Sequence, residues 1–232
     1  MIDIRPYASL AHFDHGWLDT RHHFSFAEYH DPDRMGWGAL RVWNDDLIAP
    51  GNGFPPHPHR DMEIITFVRK GAISHKDSMG KVGRTAAGDV QVMSAGSGVL
   101  HAEYNLEDED TSIFQIWIKP DRAGEPPSWG MRAFPRGERA GQFEILASGD
   151  PEKDGTLGIR TDARVLAATL PAGGIATYRT DPARHQYLVA QGGRIRINGQ
   201  EADPGDGVAI TGEDEIAVEA IEPCELVLVD AR

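Results

Sequence analysis

The sequence predicts an all-β fold: two β units in tandem, each a sandwich or barrel, with few and short helices. Three observations carry this. Short apolar runs closed by Gly, Pro, Asn or Asp recur along the whole chain, as in sandwiches and barrels. No long segment repeats its apolar residues at the 3.6-residue period of a helix. A stretch rich in Pro, Gly and Arg, residues 121–141, separates two portions of similar texture and reads as a linker.

In chain order the strand-like runs of the first portion are "GALRVWNDD", "EIITFVRKG", "AGDVQVMSAG" and "SIFQIWIKP". Those of the second are "RVLAATLPAGG", "GRIRINGQ", "DGVAIT" and "CELVLVD". The stretch "KGAISHKDSMG…TAAGDVQVMSAG" is echoed by "QGGRIRINGQEADPGDGVAIT": a glycine-led strand, a turn, then a Gly-Asp pair opening another strand. A remote internal duplication accounts for the echo. Domain boundaries are expected at 1–134 and 135–232.

The 232 residues suffice for either one large or two small cores. A formal charge of −13, with no clustered Lys and Arg, argues against direct nucleic-acid binding and against anionic membranes. A basic protein partner stays possible. The only cysteine is Cys224, so no intrachain disulfide can form. The first residues lack a basic segment followed by an apolar one, and no apolar run approaches a membrane span. A cytoplasmic location is the expectation.

Nine of the ten histidines lie at or before His101, so a metal site, if present, belongs to the first unit. In a strand, residues two apart project from one face about 6.5 Å apart. His57 and His59 in "HPHRDME" therefore make a plausible half-site, although a polar turn would read the same way. "SGVLHAEYN" supplies a second pair, His101 and Glu103, with Asn105 continuing the parity. Three neutral imidazoles and a carboxylate suit a six-coordinate divalent transition metal with two positions left open. Open positions mark catalytic centres, whereas structural zinc closes its shell.

The blocks "HGWLDTRHHFSFAEY", "RVWNDD", "HPHRDMEI", "HKDSMG" and "MSAGSGVLHAEYN" resemble, in order, those of the pirin family. Pirins are bicupins that include bacterial quercetin 2,3-dioxygenases. The resemblance covers nearly all of the first unit and implies two jelly-roll-like cupin barrels in tandem. It implies that His57, His59, His101 and Glu103 hold an iron-like metal, with manganese, cobalt, nickel or copper as alternatives. The sequence departs from the general cupin pattern in two places. Four residues, not two, separate Gly96 from His101, and Glu63 occupies the general cupin glutamate position. The second unit has neither H-x-H nor H-x-E, so no metal is expected there.

Around the ligands, Glu63, Asn105 and His75 are candidates to support the site, and Phe24 and Phe26 to wall a pocket from one strand face. His22 and His23 read as surface histidines of a packed N-terminal arm. The resemblance implies one of two functions. One is a dioxygenase that takes a flavonol-like aromatic substrate and O2, with Glu103 as the nearest base. The other is a non-catalytic redox sensor that binds a protein partner.

Overall fold

The computed structural model describes residues 1–137 and 139–232; Glu138, inside the predicted linker, lies outside the described residues. The described residues form β1 (Ile2–Arg5), β2 (Ala11–Asp14), β3 (Leu18–His22), β4 (Leu40–Ile48), β5 (Gly53–His59) and β6 (Glu63–Lys70). There follow β7 (Ala72–Asp77), β8 (Val82–Ala86), β9 (Val90–Ser94), β10 (Val99–Tyr104), β11 (Thr111–Ile118) and β12 (Ser128–Arg132). The second half adds β13 (Glu144–Ser148), β14 (Leu157–Gly158), β15 (Ala163–Leu170), β16 (Ile175–Arg179) and β17 (His185–Gln191). It closes with β18 (Ile195–Ile197), β19 (Gln200–Ala202), β20 (Gly207–Thr211), β21 (Glu215–Ala220) and β22 (Cys224–Ala231). Two 3-10 turns, Tyr7–Ser9 and Pro32–Arg34, and one helical turn, Pro151–Asp154, are the described helices. None is long and apolar enough to cross a membrane.

Four sheets make two barrels. The first pairs a large sheet, β12-β9-β6-β11-β4-β3-β2, with a small one, β5-β10-β7-β8. The second pairs β1-β20-β17-β22-β15-β13-β14 with β16-β21-β18-β19. Adding eleven to each strand number turns β9-β6-β11-β4 into β20-β17-β22-β15, and β5-β10-β7-β8 into β16-β21-β18-β19. The echo read in the sequence is thus a duplication of the whole strand framework.

The large sheets are buried on both faces, each covering the core between the barrels on one side and its own barrel interior on the other. In β11 the residues Phe114, Ile116 and Ile118 are fully buried in a core shared with Val165, Tyr187, Val189 and Val227 of the second unit. The alternate residues Ile113, Gln115 and Trp117 turn into the first barrel, following the period of two. Leu18, Ile48, Val68, Ile73 and Ile113 close the bottom of that barrel. The second barrel is filled by aliphatic side chains such as Leu166, Leu188, Ile195, Ile216 and Leu228.

Two segments depart from the expected organisation. The first strand pairs with β20, Ile2 opposite Ile210, so the chain begins inside the second unit's sheet, across the 1–134 boundary. Part of the 121–141 stretch is not a linker: β12 pairs with β9, Ser128 opposite Ser94. These two strands are equivalent additions, each flanking the strand (β20 or β9) that ends its barrel's repeated framework.

His22 and His23 are buried, not surface residues. The strand ends at His22, so the next side chains fall to the inter-barrel core: Phe24 is fully buried with its ring 4.9 Å from that of Tyr187. His23 Nδ1 lies 2.9 Å from the Tyr187 hydroxyl. Burial, then the nearby Arg5, Arg34 and Arg69, pushes the His23 pKa down to about 3. Because the unfolded value is near 6.5, stability is full above that pH and is lost as pH falls toward 3. One such group contributes about 1.4 kcal/mol per pH unit in that window. Urea unfolding at pH 7 and pH 4.5 should show a His23→Gln variant losing about 2 kcal/mol less than the wild type between the two.

Candidate metal centre

The two histidine-bearing motifs meet because β5 and β10 are antiparallel neighbours, with His101 opposite His57 and Val99 opposite His59. A register shift follows His101, so Glu103 stands opposite Phe54. His57 Nδ1 lies 2.7 Å from the Pro55 carbonyl, which fixes that nitrogen as the donor and leaves the Nε2 lone pair free. That Nε2 is 3.1 Å from His101 Nε2. Ligand atoms of His57, His59 and His101 all lie within 4.8 Å of one another.

Glu103 is 1 % exposed and is held from three sides. Thr66 Oγ1 and Gln91 Nε2 donate to Oε1 at 3.1 and 2.5 Å, and Gln115 Nε2 donates to Oε2 at 2.8 Å. Each donor comes from a different strand of the large sheet and points into the barrel. His75 is buried as well, its Nε2 3.0 Å from Asp77 Oδ2 and its ring stacked on Trp129 at 4.8 Å. Its ligand atom lies within 4.8 Å of those of His101 and Glu103.

These residues fit a transition metal. Donors at right angles on an octahedral ion with metal–nitrogen bonds of about 2.1 Å stand about 3.0 Å apart, which is the His57–His101 spacing. Burial, then repulsion from His101 and His57, lowers His59 to about 4. Burial, then His57 and His75, lowers His101 to about 3. Both imidazoles are therefore neutral at pH 7, the form that ligates metal.

A cavity of about 350 Å³ opens beside the four residues. Trp17, Phe26, Phe54, Ile64 and Trp117 make it apolar, and Thr20, His22, Asn44 and Asp46 line it on β3 and β4. A wider hollow of about 530 Å³ beside Asp121, Arg160 and Asp162 has no histidine in its wall and lies elsewhere.

Several expected neighbours sit differently. Phe26 lines the cavity, but Phe24 does not. Glu63 does not share the parity of His57 and His59, because the chain turns through Asp61 (φ +47°) between β5 and β6. It stands on the opposite face of its sheet from Thr66 and accepts a hydrogen bond from Ser94. Asn105 donates to the Ile48 and Glu109 carbonyls and accepts from the Glu107 amide, so it ties down a loop. The sequence reading missed Thr66, Gln91, Gln115, Asn44 and Asp46. For Thr66, Gln91 and Gln115 the signal is a lone polar residue inside an otherwise apolar strand, as in "IITFV" and "IFQIW"; Asn44 and Asp46 lie in the polar run "NDD" and carry no such signal.

Comparison with known proteins agrees with this architecture. The Pirin family model matches residues 4–118, and the model for the quercetinase C-terminal cupin domain matches residues 145–231. A pirin-like protein of Caulobacter vibrioides is 59% identical over 231 residues, covering 100% of both chains. The quercetin 2,3-dioxygenase of Escherichia coli is 39% identical over 231 residues, covering 99% of this chain and 98% of that one. The crystal structure of the Escherichia coli bacterial pirin YhhW in complex with nickel(II) superposes with a TM-score of 0.92 at 39% identity, covering 100% of this chain and 99% of that one. With both cupin units matched and the strand framework shared over its full length, the chain belongs to the pirin family.

Proposed function

We propose that this pirin is a metal-dependent dioxygenase that cleaves the central ring of a flavonol with O2, giving a ring-opened ester and carbon monoxide. The observation that carries the reading is that His57, His59, His101 and Glu103 all line one cavity with aromatic walls, with ligand atoms of the three histidines within 4.8 Å of one another. His57, His59, His101 and Glu103 are the proposed ligands of one divalent transition metal. Iron is the proposed occupant, and nickel, bound by the relative named above, suits the same donor set. When bound, the metal supplies Lewis acidity and redox capacity to the face of the substrate it meets.

The chain's own residues do the rest. Trp17, Phe54 and Trp117 offer flat apolar surfaces to a planar substrate and exclude water from it. Pro55 orients His57 through its carbonyl, and the Thr66–Gln91–Gln115 donors fix the carboxylate plane of Glu103. Glu103 is the proposed acceptor of the flavonol hydroxyl proton. Its three donors fill three of the roughly four acceptor positions of the carboxylate and the fourth would serve the metal, so Glu103 would take the proton by loosening its hold on the metal. The second barrel is proposed to act as a scaffold, since aliphatic side chains fill its interior.

Two measurements test this. Metal-loaded protein given quercetin should consume oxygen and release carbon monoxide, while His59→Ala and Glu103→Ala should lose at least about 100-fold in rate with the fold intact. No uptake with iron, manganese, cobalt, nickel or copper would remove the dioxygenase reading. Independently, Gln115→Leu, which takes one donor from Glu103, should weaken metal binding by about 10–100-fold in a chelator competition.

A further inference from the structure

The cavity wall formed by β3 and β4 carries more polar chemistry than the metal centre uses. Register sets Thr20 opposite Asp46 and His22 opposite Asn44, all four on the inner face of the sheet. All four line the cavity, and none is more than 5 % exposed. Thr20 Oγ1 donates to Asp46 Oδ1. Among the described residues, Asn44 Oδ1 and His22 Nδ1 are buried without a hydrogen-bond partner. Buried polar atoms left unpaired cost stability, so their presence in a cavity wall points to a ligand that completes them.

The missing partner is a donor. A carboxylate and an amide oxygen accept hydrogen bonds, and burial with His15 nearby lowers His22 to about 4, leaving it neutral with an acceptor nitrogen available. The wall lies one to three strand spacings, about 5–15 Å, from the Gln115 and Thr66 side chains that hold Glu103. That span is of the order of the distance between opposite hydroxyl-bearing ends of a flat polycyclic molecule.

We propose that Thr20, His22, Asn44 and Asp46 form a hydroxyl-binding subsite, in which Asp46 and Asn44 accept hydrogen bonds from phenolic hydroxyls remote from the reacting ring. This rests on the dioxygenase reading and narrows it: the substrate class is aromatic enols bearing additional phenolic hydroxyls, not bare ones. Burial raises the Asp46 carboxyl to about 7, against the opposing hydrogen bond from Thr20. Asp45 on the outer face and Glu103 across the cavity act in the same direction as burial, and Arg69 opposes them. A donor hydroxyl arriving at Asp46 favours the carboxylate form, so the subsite completes its charge with its ligand.

The test compares two probes, quercetin and 3-hydroxyflavone, which share the reacting ring and differ in the remote hydroxyls. Binding is followed without oxygen by quenching of tryptophan fluorescence in nickel-loaded protein. Wild type should prefer quercetin by at least tenfold. Asp46→Asn and Asn44→Leu should each erase most of that preference while 3-hydroxyflavone still binds. Asn44→Leu should also raise the melting temperature of the ligand-free protein, because it removes an unpaired buried oxygen. A preference unchanged in both variants would overturn the subsite and leave the dioxygenase reading in place. Failure of wild type to bind either flavonol would overturn both.

Discussion

The proposed metal centre depends on holding one carboxylate, that of Glu103, in a single orientation inside a barrel. A carboxylate only accepts hydrogen bonds, so its cage must be built from donors. Thr66, Gln91 and Gln115 provide them from β6, β9 and β11, three adjacent strands of the large sheet. The shared partners extend further: Gln91 Nε2 also donates to Thr66 Oγ1, and Thr85 donates to Gln91 Oε1. A network of shared partners fixes geometry more firmly than separate bonds would. The strand register that makes the barrel therefore also sets the carboxylate.

Duplication explains how one barrel can carry so many polar groups. The two large sheets pack back to back, and the core between them is continuous, from Trp43 and Phe67 on one side to Tyr187 and Val229 on the other. The second barrel adds its own aliphatic interior. Stability rests largely on these two apolar clusters. The upper part of the first barrel is thereby free to hold imidazoles, carboxylates and amides where apolar side chains would pack better. The crossing of β1 into the second sheet ties the chain's start to that shared core, and Arg139 joins the units by donating to Gly88 and Phe134 on one side and Glu225 on the other.

Much of this was legible in the sequence, for identifiable reasons. Short runs closed by turn residues gave the strands, and the H-x-H and H-x-E pairs gave the residues that meet, because a period of two fixes which side chains share a face. What failed did so where that period was broken. Glu63 lies beyond a turn through Asp61, and Phe24 lies beyond the end of β3, so parity carried across either point assigned the wrong side. His22 looked like a surface residue because histidine alone carries no burial signal; its rung opposite Asn44 is a non-local fact. Gln91 and Gln115 were visible as lone polar residues in apolar strands, but their common target, Glu103, emerges only when three distant strands are assembled.

The ligand strand itself shows why the site stands ready before any metal arrives. β5 is an edge of its sheet, and an open edge invites pairing with another chain. Pro55, Pro56 and Pro58 remove three backbone donors from it and fix φ at those residues. The same prolines hold His57 and His59 on a stiff segment, and the Pro55 carbonyl sets the His57 ring. His101, opposite on β10, is restrained by the sheet on both sides, through β5 and β7. His101 Nε2 and His57 Nε2 stand in hydrogen-bond range at 3.1 Å, and a cation held between them would take the place of the proton they share. Edge protection and metal preorganisation are thus two consequences of one short Pro-rich strand.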